Sequence, residues 1–123
     1  MKELFKTVGK MEPDDLVIST QPPCRVGNGV LKANAGALKR GTILAKGTDG
    51  KLDILGNDES AEAYGILTDD VEASESDLPV DIYISGMFNA NKLIVKDGYE
   101  IKESDKDTLR KYGIEYRAAL NTN

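Results

Sequence analysis

The sequence contains no histidine and no tryptophan, and its only cysteine is Cys24. Without histidine the usual general base, the commonest zinc ligand and the usual switch near neutral pH are all missing. One cysteine excludes an intrachain disulfide framework and a Cys-rich metal site. As a nucleophile Cys24 has no imidazole to activate it, so a small apolar or incidental role is expected. Aromatic residues make up 6% of the chain, so the core must be mostly aliphatic. No apolar run approaches the ~20 residues of a membrane-spanning helix. The opening Met1-Lys2-Glu3-Leu4-Phe5-Lys6 is too charged for a signal peptide. No membrane contact and a cytoplasmic site of synthesis are therefore expected. Basic residues number 16 against 21 acidic ones, for a net charge of −5, and no basic run is present. That balance disfavours binding to a phosphate backbone, which requires clustered Lys and Arg.

What is present reads as a β-rich domain. At 123 residues, 40% hydrophobic and 30% charged, the chain suits one globular unit. The most informative stretch is Pro79-Val80-Asp81-Ile82-Tyr83-Ile84-Ser85-Gly86-Met87-Phe88-Asn89. Val80, Ile82, Ile84 and Phe88 fall on one face of a period-two pattern, and Asp81, Tyr83, Ser85 and Asn89 fall on the other. This alternation predicts a half-buried strand. Gly86 falls in the apolar register, where a bulge or a close backbone approach is expected.

Residues 1–30 read as an extended N-terminal arm and 31–123 as the β-rich domain, with a clear start near Leu38. Pro22-Pro23 favours extended backbone, and Gly27, Gly29 and Gly36 loosen the segment. Within the arm, Leu16–Thr20 is the strand-capable patch; the alternative is an ordinary edge strand of the domain. Strands are predicted at 41–45, 51–54, 63–67 and 93–95. Asp49-Gly50 signals a type I′ hairpin turn. The acidic stretch 69–77 reads as a solvated connection. Ser104-Asp105-Lys106-Asp107 fits a helix start, with Leu109 and Tyr112 on one side and Gly113 as the stop. Ile114, Tyr116, Ala118 and Leu120 alternate as a last strand. Many short strands with one short C-terminal helix predict a mainly β fold, a small β-barrel or compact β-rich domain.

Reactive constellations are hard to find. The pairs Asp14-Asp15 and Asp69-Asp70 place neighbouring side chains on opposite faces of any strand, so turn solvation is the better reading. Asp49, Asp53, Asn57, Asp58 and Glu59 fail the calcium-loop spacing because Gly50 follows the first Asp directly. The glycines match no phosphate-binding loop. Neither a catalytic set, nor a cofactor, nor a metal is expected.

Lys39-Arg40-Gly41-Thr42-Ile43-Leu44, Ala63-Tyr64-Gly65-Ile66-Leu67 and Val80–Asn89, in that order, resemble the lambda-like bacteriophage head decoration proteins. The similarity covers about Leu31 to Leu120. It implies a capsid-stabilising homotrimer bound to the major capsid protein at threefold positions on the outside of the expanded shell. There it would resist the pressure of packaged DNA, in a virion assembled from subunits made in the host bacterial cytoplasm. It also implies an arm that orders on the capsid by adding a strand to a capsid-protein edge. Leu16, Val17 and Ile18 are the arm residues apolar enough for that contact. The alternative is a small β-barrel module for a glycan or a surface peptide, which would need an aromatic platform.

Overall fold

The computed structural model describes residues 16–19 and 24–117. The Asp14-Asp15 pair, Pro22-Pro23 and the expected continuation through Ala118 and Leu120 lie outside them. In chain order the strands are β1 (Val17–Ser19), β2 (Arg25–Leu31), β3 (Gly36–Leu38), β4 (Ile43–Lys46), β5 (Leu52–Ile54), β6 (Glu62–Leu67), β7 (Val71–Ala73), β8 (Leu78–Asn89) and β9 (Ile114–Arg117). A 3-10 turn covers Ala90–Lys92, and one α-helix, α1, spans Glu103–Tyr112.

The chain is mainly β, with a closed five-stranded barrel. Around the barrel the order is β8-β2-β5-β4-β6, and β6 returns to β8 through Ile66↔Tyr83 and Leu67↔Ile82. All contacts are antiparallel except β2–β5, which meet in parallel at Leu31↔Leu52. Every barrel strand contributes to one apolar cluster: Leu31, Leu44, Leu52, Leu67, Val80 and Ile82. This cluster fills the interior. A second cluster lies outside the same strands, where Ile43, Ala63, Ile66, Tyr83 and Phe88 are covered by Leu16, Leu109 and Ile114. Strands buried on both faces lose the inside–outside alternation of a half-solvated sheet.

The long strand therefore departs from its expected pattern. Tyr83 and Asn89, assigned to the solvent face, are buried, and Phe88 joins Tyr83 in the outer cluster instead of Val80 and Ile82. A register shift lies between them: Arg25 pairs with Ser85 while Val26 pairs with Tyr83. One extra residue in β8 moves every later side chain to the other face.

β2 was legible only as a loosened segment, yet it is a seven-residue strand. Its glycines face the core. A Cβ on Gly29 would lie 2.4 Å from Leu52 Cδ1, and one on Gly27 would lie 3.1 Å from Ile84 Cγ2. They admit close strand passage rather than slackness.

Other departures have local causes. The Asp49-Gly50 hairpin forms, but Gly50 alone takes a positive φ, of 82°. Gly50 N–H donates to Gly47 O at 3.0 Å and Gly47 N–H to Lys51 O at 2.9 Å. The loop is thus the three-residue kind with a bulge at glycine, not a type I′ turn. Leu93–Val95 makes only an isolated bridge, Ile94 to Thr42. The acidic 69–77 connection contains β7, which pairs with β3 in a separate two-stranded sheet. The helix N-cap is Lys102, two residues earlier than Ser104: Asp105 Oδ2 accepts from the Lys102 N–H at 2.9 Å, the carboxylate half of a capping box. Gly113 ends it.

Candidate functional site

Among the described residues, Asp49, Asp53, Asp58, Asp69 and Asp70 hold local loop and turn backbone or side chains. Asp70 accepts from the Arg40 N–H at 2.9 Å, and Asp69 from the Thr68 hydroxyl at 3.0 Å. Asp49 accepts from Lys51 N–H, Asp53 from Asn57 Nδ2, and Asp58 from Ser60 through both its N–H and its hydroxyl. The Ser60 hydroxyl and then its N–H hold the Asp58 carboxyl below its ordinary range. Among the described residues no three His, Cys, Asp or Glu side chains gather as a metal site. Cys24 is half-buried against the outer cluster.

A half-buried polar contact links the barrel to the 39–42 turn. Arg40 Nη1 donates to Tyr83 Oη at 2.7 Å and to the Thr68 carbonyl at 2.9 Å. Its position in "Lys-Arg-Gly-Thr" gives no sign of this; the partners lie 43 and 28 residues away.

The feature with the most functional content is the rim at the C-terminal end of β8. There β8 lies between β1, antiparallel, and β9, parallel, with Phe88 opposite both Val17 and Tyr116. Asn89 is 4% exposed. Its N–H donates to Leu16 O at 2.8 Å, and its Oδ1 accepts from Asn91 N–H at 3.0 Å, starting the 3-10 turn. The Tyr116 hydroxyl is pushed above its ordinary value, by burial first and by the Asp105 and Glu103 charges second.

The arm residues sit at this rim. Leu16 is fully buried in the outer cluster, and Val17 and Ile18 are half-buried. Of the two readings of this patch, Val17–Ser19 adopts the ordinary strand, held on β8. Leu16 and Arg117, where the described chain enters and leaves, both neighbour Asn89. The alternation of 114–117 made β9 legible; its parallel pairing with β8 left no mark in the sequence.

Fold and rim together define a class: a small closed β-barrel with β1 and β9 flanking the end of its longest strand at one edge. A family model described as bacteriophage lambda head decoration protein D matches residues 6–114, and the chain belongs to that family of phage capsid proteins. A comparison with curated proteins found no match.

Proposed function

We propose that the protein binds the outside of an expanded phage shell as a homotrimer at threefold positions, contacting the major capsid protein and bracing the shell against packaged DNA. The observation that carries this reading, beside the family, is the convergence of Leu16 and Arg117 on Asn89. In a threefold assembly that arrangement brings Leu16 and Arg117 of every subunit to the same edge. Val17 and Ile18, with the residues before them, make the capsid contact, while the Leu16 side chain anchors β1 in the core. Three weak contacts on one rigid body act together, because the second and third form at high effective concentration. Only the expanded lattice spaces its sites to match them.

The test incubates the purified chain with expanded and unexpanded shells and images both, with light scattering of the free protein. Decoration restricted to expanded shells, by a particle of three times the chain mass, supports the reading. A monomer that ignores both shells defeats it.

A further inference from the structure

A pocket of about 310 Å³ opens between the start of β6, the end of β4 and the end of α1. Tyr64 and Tyr112 line it, their ring centroids 5.8 Å apart at 66°. Tyr112 is 47% exposed, the most exposed aromatic ring among the described residues. Lys46 places Nζ 4.6 Å from the Tyr64 centroid, although Glu62 is its direct cross-strand neighbour. The side chains of Glu62, Thr48, Tyr64 and Tyr112 make no hydrogen bond to another described residue. The pocket therefore combines an aromatic wall with four open polar groups.

We propose that this pocket binds a neutral sugar ring. The lining selects among ligand types. An anion meets the Glu62 carboxylate, and a cation competes with Lys46 for the Tyr64 ring. A purely apolar ring strands the polar groups, each at the cost of an unmade hydrogen bond. A pyranose presents a C–H face to the tyrosine and a rim of hydroxyls that both donate and accept. The formal charges of Lys46 and Glu62 cancel, and the volume is at the small end of ligand pockets, about 300 Å³. The pocket shares no residue with the rim at Asn89. Attachment through that rim leaves it open, so a decorated particle would carry many copies of a weak sugar site on its surface.

The experiment titrates the full ¹⁵N-labelled chain with maltotriose, lactose and N,N′-diacetylchitobiose. At least one sugar shifts the amides of Lys46–Thr48, Ser60–Tyr64 and Tyr112, saturating with a dissociation constant of about 1 mM, as expected of a shallow site. Tyr112→Ala weakens binding about tenfold and Glu62→Gln about threefold, the loss of one ring contact and of one charged acceptor. Both positions are exposed, and an unchanged far-ultraviolet dichroism spectrum checks each fold. The proposal is overturned if no sugar gives saturable shifts there, or if both variants bind like the parent. It is also overturned if Tyr112→Ala reduces an oligomer to single chains in light scattering, which makes the pocket a contact between copies.

Discussion

Tyr83 and Phe88 stand five residues apart on one strand, yet their rings pack together with centroids 5.4 Å apart. Odd spacing on a regular strand puts two side chains on opposite faces. The extra residue of β8 opposite Arg25 and Val26 brings them to one side. The same shift lets a single strand supply Val80 and Ile82 to the barrel interior and Tyr83 and Phe88 to the cluster outside it.

Phe88 is fully buried, so Phe88→Ala should destabilise the fold by about 3–5 kcal/mol. Tyr83→Phe should cost about 1.5 kcal/mol, because the ring stays while the Arg40 guanidinium loses an acceptor. Urea unfolding of both variants measures this. Equal losses would mean that the hydroxyl, not the ring pair, dominates.

The rim gives a sharp boundary for truncation. Removing residues 1–15 should leave the unfolding midpoint near that of the full chain, since Leu16 and β1 are retained. Leu16→Ala should cost about 2–5 kcal/mol, because this side chain is fully buried in the outer cluster. Thermal unfolding with capsid binding measured in parallel separates the two roles. Capsid binding that survives the truncation at full strength would contradict the proposed arm contact.

Gly41 and Gly50 both have positive φ, 97° and 82°, but different surroundings. A Cβ at Gly41 would lie 2.6 Å from the Lys92 carbonyl oxygen, whereas one at Gly50 meets nothing within 4 Å. Gly50→Ala should cost about 1–2 kcal/mol from the backbone conformation alone. Gly41→Ala should cost about 3 kcal/mol or more, strain and collision together. Denaturation midpoints showing the reverse order would refute this placement of the 90–94 segment.

Lys51 Nζ and Asp77 Oδ2 are 2.8 Å apart, and Asp77 Oδ1 accepts from the Ala33 N–H at 2.9 Å. The Lys51 hydrogen bond first, and then that N–H, hold the Asp77 carboxyl below its ordinary value of 3.8. Folding makes the group a stronger acid, so its contribution is complete above the ordinary carboxylate range and is lost as pH falls through the lower folded value. Asp77→Asn should flatten this part of the acid limb. Urea midpoints of the parent and variant across acidic pH are the measurement, and parallel curves count against it.

Tyr99 contributes to the alkaline side. Desolvation first, and then its hydrogen bond to Asp105, push its hydroxyl from 10.0 up to about 12. The folded state keeps a proton that the unfolded chain releases, so stability declines as pH rises from the ordinary value toward 12. Tyr99→Phe should reduce that decline, leaving the share of Tyr116, as followed by dichroism at increasing pH. A decline of the same slope in the variant would assign it elsewhere.

The β-rich class, the 41–45 and 63–67 strands, the long β8 and the Gly113 helix stop were all legible, because local alternation and turn chemistry determine them. The Asn89 rim was not, since it depends on a parallel pairing between residues far apart in sequence. Nor was the Tyr64–Tyr112 pocket: the helical spacing of Leu109 and Tyr112 marked one face, but only Leu109 is buried, and Tyr112 turns to β6.

By itself the sequence determined a non-membrane-helix, histidine-free, aliphatic β protein and its family resemblance, because composition and short periodicities act within a few residues. Tertiary structure alone decided that the second half of β8 is buried on both faces, that the glycines of β2 pack inward, and that Leu16 and Arg117 both neighbour Asn89. Those outcomes depend on which distant strands cover each face, and a register shift of one residue is enough to reverse them.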